Sequence, residues 1–426
     1  MTLGETGHSI KRWLHSLRES YIVKQTLWLY GSQLVMTSFG VLAYLLMTRQ
    51  MTKEEFGDRE LIMKLAVFGS VFFEFGILTA GARLLAIQPD KARERHLFSL
   101  LLSIALGLLL LFALFLFATS FFVDALFQTS QPIGTTLALF SLPLAFIVFK
   151  IYFQLLYQGT NEMLKLSFYN AAVQTIFLAL LVGLWWQERV TTFFVIAAYS
   201  LSSCVVALFL ITKGKPSLAE VELFKDDLWK EIKQYGAKFY IGRTLAVLTQ
   251  NLDSMLLGAL FTSVNVGVYA VMIFFISPMQ MFSDTYLTVR FKKLSSLEVI
   301  PVSLLKANAI VLCAIAVLYL SVGQWLFEWV FPKYREHTTL LYPLLFATLF
   351  NGLSKPYNYF FAAKGMGDAL LRVALVFTAS NLAMNFLLIP NYAETGAAVA
   401  MLISSSVLWA VQFFLYRRKQ KEATSA

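Results

Sequence analysis

The chain is short of the residues that most protein chemistry needs. Its 426 residues include only two cysteines and four histidines. Cys204 and Cys313 sit inside apolar runs, so they read as small packed residues with no disulfide implied. His8, His15, His96 and His337 are scattered outside those runs, and no metal-ligand spacing results. Charge is also scarce, at 14%, against about a quarter in an ordinary soluble domain. Alternating segments of about ten residues are missing, which excludes an outer-membrane barrel. Residues 1–24 hold no apolar core of the kind a cleaved signal has, so the first spanning helix is expected to act as an uncleaved signal.

What the chain has is hydrophobic length: 58% of its residues are hydrophobic and the mean hydropathy is +0.67. Its apolar runs reach the ~20 residues that cross a bilayer as a helix. Twelve spans are expected, at 25–48, 61–83, 98–121, 135–157, 166–186, 191–211, 236–260, 267–289, 304–326, 338–361, 370–389 and 396–416. The fold class is therefore an all-α integral membrane protein, with two pseudo-symmetric bundles of six helices around a central cavity. The bundles are 25–211 and 236–416. A segment at 1–24 precedes them, with Ile10, Trp13, Leu14, Leu17 and Tyr21 spaced as an amphipathic surface helix. A linker at 212–235 joins them, opening with the capping-box pattern Ser217-Leu218-Ala219-Glu220. Leu218, Val221, Phe224, Leu228 and Ile232 form its apolar stripe, and a plain connection is expected of it. A basic tail, 417–426, closes the chain.

Lysine and arginine fix the orientation. With the N-terminus inside, cytoplasmic segments hold 24 of them and outer loops hold 6. That split places both termini in the cytoplasm. The net charge of +10 is spread over many segments rather than one patch, so it reflects topology and contact with anionic lipid, and argues against nucleic acid.

The sequence also repeats. Met51-Thr52-Lys53-Glu54-Glu55-Phe56-Gly57 aligns with Phe261-Thr262-Ser263-Val264-Asn265-Val266-Gly267. Lys150-Ile151-Tyr152 aligns with Lys355-Pro356-Tyr357, and Asn170 with Asn381. Two six-helix halves enter from the same side and are related by an axis along the membrane normal, with a substrate site expected between them.

Eight charges remain inside the spans. Lys64, Arg83 and Asp284 lie near span ends and are expected to snorkel. Lys150, Lys355, Glu74 and Asp253 lie deep, and Arg243 is intermediate. Such charges belong in an interior or a watery cavity. Lys150, Lys355 and Arg243 would meet an anionic headgroup. Glu74 and Asp253 would balance charge or carry a coupling proton or sodium ion. The alternative for all of them is internal ion pairing. Pro356, next to Lys355, is expected to kink its helix.

The stretches LLMTRQMTKEEFGDRELI, FFEFGILTAGARLLA, NLDSMLLGALFTSVNVGVYAV and IPNYAETGAAVAMLISSSV, in this order, resemble the polysaccharide (O-antigen, Wzx-like) flippases of the multidrug/oligosaccharidyl-lipid/polysaccharide exporter superfamily. The resemblance runs nearly end to end. It implies a twelve-helix transporter, not an enzyme. Its substrate would be an undecaprenyl-pyrophosphate-linked oligosaccharide, moved across the bacterial inner membrane for O-antigen, lipopolysaccharide or other surface polysaccharide. Its partners would be membrane lipids and other polysaccharide-assembly proteins. Asp253 stands at the family's aspartate of the seventh helix, followed here by Ser254 instead of the common arginine. Asp58 and Arg59 depart from the usual first loop, which puts the start of the second helix in question. Two other readings compete. A multidrug and toxin extruder would share the fold but prefer an acidic cavity. A polysaccharide polymerase or glycosyltransferase would resemble its kind in having large outer loops, which this chain does not have.

Overall fold

The computed structural model describes residues 37–425 apart from 88–90, 161, 215–224 and 289. The amphipathic segment at 8–21, the start of the first span and the capping box at 217–220 lie outside the described residues. No strand occurs among the described residues. In chain order the helices are α1 (37–50), α2 (Lys53–Phe72), α3 (Ile77–Ile87), α4 (Lys91–Ser120), α5 (Val123–Leu126), α6 (Ile133–Ala145), α7 (Val148–Gly159), α8 (Met163–Trp186) and α9 (Thr192–Gly214). Then come α10 (Lys225–Glu231), α11 (Ala237–Leu260), α12 (Ser263–Thr288), α13 (Phe291–Ser296), α14 (Val302–Leu318), α15 (Gln324–Val330), α16 (Leu341–Ala363) and α17 (Gly367–Ser425).

The twelve expected spans fall on these helices wherever they are described. Among the described residues seven helices are long and apolar enough to cross a bilayer, and eight if Lys53–Phe72 and Ile77–Leu85 count as one broken span. One of the seven covers two expected spans, because α17 is interrupted only at Ala393, whose backbone is non-helical (φ 47°, ψ −130°). α11 and α16 are long enough but too polar to pass. They are the helices that carry Arg243, Asp253 and Lys355.

Three boundaries differ from expectation. α2 starts at Lys53, well before 61, because Thr52 and Glu55 form a reciprocal capping box: each side chain accepts the other residue's backbone N–H at 3.1 Å. Asp58 and Arg59 are thus helical. Asp58 accepts the Ser130 hydroxyl at 2.7 Å, and Arg59 pairs with Glu60. The fourth span is broken at 146–147, just after Pro143. The last helix runs on through Arg417, Arg418 and Lys419 instead of ending near 416.

By packing, the described residues form two compact units that cut across the sequence halves. One takes the residues up to Met47, with Phe73–Leu116 and Leu139–Tyr240. The other takes Thr48–Phe72, Phe117–Ala138 and the residues from Ile241 on.

In the first unit α3 packs on α7, where a Cβ on Gly159 would lie 2.6 Å from the Ala82 carbonyl. The break at 73–76 is seated against the turn that follows α10. A Cβ on either Gly76 or Gly236 would lie 2.5 Å from the other's carbonyl oxygen. Arg83 pairs with Glu231 at 2.6 Å, and Leu228 is buried. The end of the linker is therefore a packed element rather than a plain connection, and Arg83 pairs where it was expected to snorkel.

The second unit is organised on the crossing of α2 and α12. A Cβ on Gly57 would stand 1.7 Å from the Ser263 carbonyl oxygen, and one on Gly267 would stand 2.9 Å from that of Lys53. The aligned sequence repeat pairs Gly57 with Gly267 and Lys53 with Ser263, so each copy makes its partner's contact. Thr262 repeats Thr52: its backbone N–H and its hydroxyl both bond Asn265 Oδ1, at 3.2 and 2.9 Å. The flanking loops are reciprocal too. The Gln128 N–H bonds the Gly258 carbonyl at 2.8 Å, and Lys333 Nζ bonds the carbonyls of Arg49 and Met51 at 2.7 and 2.9 Å. Burial pushes the Lys333 ammonium below the usual lysine range, and Glu55 offsets part of that.

Gly57→Ala should destabilise the protein by about 3 kcal/mol, since the obstructing atom is backbone and cannot swing aside. Gly183→Ala, whose Cβ meets nothing within 4 Å, should be neutral. Thermal melting of both variants in detergent checks this, and equal melting points would refute the crossing.

Candidate substrate and coupling residues

Asp253 is buried on α11, and its two oxygens are used differently. Tyr269 Oη, from α12, donates to Oδ2 at 2.7 Å. The backbone N–H of Ser254 donates to Oδ1 at 2.7 Å. Lys64, half-buried on α2, acts on the carboxylate electrostatically. Lys64, expected to snorkel, makes no direct ion pair or hydrogen bond among the described residues and acts on this buried charge only at longer range.

At the other end of α12 a second cluster forms. Lys355 Nζ lies 2.9 Å from Asp284 Oδ1. The Tyr359 hydroxyl reaches Thr288 Oγ1 at 3.1 Å and the Asp284 carbonyl at 3.4 Å. Asp284, likewise expected to snorkel, is the counter-charge of Lys355. The pair is incompletely covered, with side chains 22% and 39% exposed, so it can open without stranding a dry charge.

Pro356 does not interrupt its helix, since α16 is continuous from Leu341 to Ala363. A proline removes the N–H that would bond the carbonyl four residues earlier, here that of Gly352. Asn308 Nδ2 supplies the missing donor at 3.1 Å, and the Ser283 hydroxyl fixes the amide by donating to its Oδ1 at 2.9 Å. Gly352 allows the approach, since a Cβ there would meet Leu312 Cδ1 at 2.8 Å. Asn308→Ala should cost about 1–3 kcal/mol, the penalty of orphaned buried polar groups. In a Pro356→Ala background, which restores the backbone N–H, the same change should cost much less. A thermal double-mutant cycle reads the coupling, and strict additivity would refute it.

The remaining candidates sit elsewhere. Lys150 lies in the first turn of α7, just past the break at 146–147. It is exposed, and among the described residues it has no ion pair or hydrogen-bonded side-chain partner. Its neighbours Phe149, Ile151, Tyr152 and Phe153 are buried. Glu74 is buried in the break between α2 and α3, and it has no basic neighbour as its hydrogen-bond partner. Its carboxylate accepts the N–H groups of Gly76 and Thr79 at 2.9 and 2.7 Å, capping α3 at its positive end. Arg243 is half-buried on α11 and has a partner. The structure thus joins Asp253 to Lys64 and Lys355 to Asp284, and gives Glu74 to the backbone. Sequence reasoning missed Tyr269, Asn308 and Ser283. The available signal was that each is a polar side chain in an apolar run, which requires a partner in lipid. Among the described residues no group of three His, Cys, Asp or Glu is placed to hold a metal.

Solved structures with a similar fold include transporters of the MOP superfamily. The chain is similar to an inward-facing multidrug resistance MATE family transporter of that superfamily (TM-score 0.71, 13% identity, covering 92% of this chain and 96% of that one). It is similar to the lipid II flippase MurJ in an inward closed conformation (TM-score 0.73, 13% identity, 91% and 87%). It is also similar to a MOP superfamily transporter from Pyrococcus furiosus noted for the reverse polarity of its binding pocket (TM-score 0.63, 14% identity, 93% and 95%). At these identities the likeness establishes the fold, that of a multi-pass membrane protein. The family follows from the sequence: the polysaccharide biosynthesis protein family matches residues 22–291, more than half of the chain, and the chain belongs to it. No curated protein sequence matches.

Proposed function

We propose that the protein is a flippase for a lipid-linked oligosaccharide. It carries an undecaprenyl-pyrophosphate-linked repeat unit across the inner membrane by alternating access, for O-antigen or a related surface polysaccharide. Both termini are cytoplasmic, and no covalent chemistry is involved. The observation that carries this reading is Lys150, a cation at a helix break within a span that has no internal counter-charge among the described residues. An uncompensated lysine in a span is costly, and a phosphate supplies the charge it lacks. Family membership and the shared fold support the reading. Lys355 is the second proposed headgroup residue and releases Asp284 when it binds, while Arg243 contributes further positive charge. Asp253 is the proposed seat of a coupling proton or sodium ion, because it is a buried carboxylate tied to helices α2 and α12. Glu74, committed to backbone amides, serves charge balance at the break. Membrane lipids and other assembly proteins are the expected partners.

The test is deletion followed by complementation. A strain lacking this gene and any paralogue should lose surface polysaccharide, and normal levels would refute the reading. Lys150→Gln should lower export about tenfold or more, the scale of one charged hydrogen bond, with the protein still in the membrane. Lys355→Gln should do the same alone and when combined with Asp284→Asn. Full export by the combined variant would reduce Lys355 to a pairing role. The multidrug reading, favoured by the likeness to MATE transporters, predicts instead that expression raises tolerance to cationic dyes and leaves polysaccharide unchanged.

A further inference from the structure

The connection between α12 and α14 encloses a cavity of about 340 Å³, walled by Tyr286, Arg290, Leu297, Pro301, Ser303 and Leu304. Its floor is firm. Leu287, Leu294, Ile300 and Leu304 belong to one buried cluster with Tyr357 and Phe360. The Tyr416 hydroxyl accepts the Ile300 N–H at 2.9 Å and so pins the loop. Arg290 is set in place before any ligand arrives. Its guanidinium lies over the Tyr286 ring at 3.8 Å, and NH1 donates to the Tyr286 carbonyl at 3.1 Å. Tyr286 is itself stacked on Phe282, with centroids 5.7 Å apart. These contacts occupy one N–H and one face of the guanidinium and leave the rest of its donor fork for a further acceptor. Among the described residues no carboxylate pairs with Arg290.

We infer that this cavity binds the phosphate headgroup of an anionic membrane phospholipid, with Arg290 as the anion ligand and Ser303 at its mouth. Three features select that class. The cation is preorganised and lacks a counter-charge, which suits phosphate. Half of the wall is aliphatic, which a free phosphate ion would not use but a glycerol backbone and the start of an acyl chain would. The cavity also opens where α12 ends and α14 begins, on the side that the basic-residue count assigns to the cytoplasm. There the sequence adds Lys292 and Lys293 in the connection and Lys306 in the first turns of α14, and anionic headgroups are concentrated. None of Lys150, Lys355 and Asp253 lines the cavity, and the inference stands or falls independently of the flippase reading.

The experiment is native mass spectrometry of the purified full chain, titrated with phosphatidylglycerol, phosphatidylcholine or inorganic phosphate. Phosphatidylglycerol should be retained best. Arg290→Gln should weaken its binding about fivefold, the share of one basic residue at a membrane surface. Arg290→Lys should fall between. Ser303→Leu, an exposed position whose larger side chain narrows the mouth without touching the guanidinium, should weaken binding with the melting point unchanged. Wild-type binding by both Arg290→Gln and Ser303→Leu would overturn the site. Complete displacement by inorganic phosphate, or equal retention of phosphatidylcholine, would overturn the lipid assignment.

Discussion

Everything in the second unit depends on two helices touching at glycine. Where α2 crosses α12, Gly57 meets the Ser263 carbonyl and Gly267 meets that of Lys53. No side chain fits between them. Inside a bilayer, helices have no hydrophobic drive to associate, so packing at small residues and satisfied polar groups must do it. The crossing is therefore a fixed point rather than a consequence of burial. Around it each repeat has a threonine at the helix start whose backbone N–H bonds the side chain three residues on, and the flanking loops reach across to the opposite half. The first half grips with the backbone of Gln128 and the second with the ammonium of Lys333.

The second constraint is that every deep charge must be settled. Asp253 is settled by Tyr269, its own backbone and Lys64. Lys355 is settled by Asp284, and Glu74 by the first amides of α3. Pro356 creates a vacancy at the Gly352 carbonyl, and Asn308 fills it. After that accounting Lys150 stands out. It is exposed within a span, at a break, with its apolar neighbours buried around it. A transporter needs such an unsettled charge, since only a group the fold has not neutralised can gain from a passing anion. Lys355 is the milder case: its pairing with Asp284 is only partly covered, so under the proposed function substrate binding and release at that place would be a competition between two anions.

Much of this was legible in the sequence. Where they are described, the twelve apolar runs are helices because nothing else satisfies the backbone in lipid. The echo between Met51–Gly57 and Phe261–Gly267 gave the repeat, and the aligned glycines proved to be the crossing itself. Other features depend on distant residues and were out of reach. Lys64 and Asp284 look like snorkelling charges until their partners appear from other helices. Glu74, a buried charge, looked in need of a cation, although the Gly76 that follows it already hinted at a helix break whose amides could serve instead. Pro356 read as an interruption of hydrogen bonding because the donor that repairs it, Asn308, is far away in the chain. The start of α2 lies before the apolar run because Thr52 and Glu55 cap it ahead of the polar Asp58 and Arg59.

The central claim, that an unsettled cation in a transporter fold serves a lipid-linked anion, is tested most directly by reconstitution. Purified protein is placed in liposomes with a fluorescent undecaprenyl-pyrophosphate oligosaccharide, and its transfer between leaflets is followed by loss of protection from a membrane-impermeant quencher. The account predicts transfer that the protein accelerates and that excess unlabelled lipid-linked pyrophosphate suppresses. A transfer rate equal to that of protein-free liposomes, with a cationic dye carried instead, would contradict it.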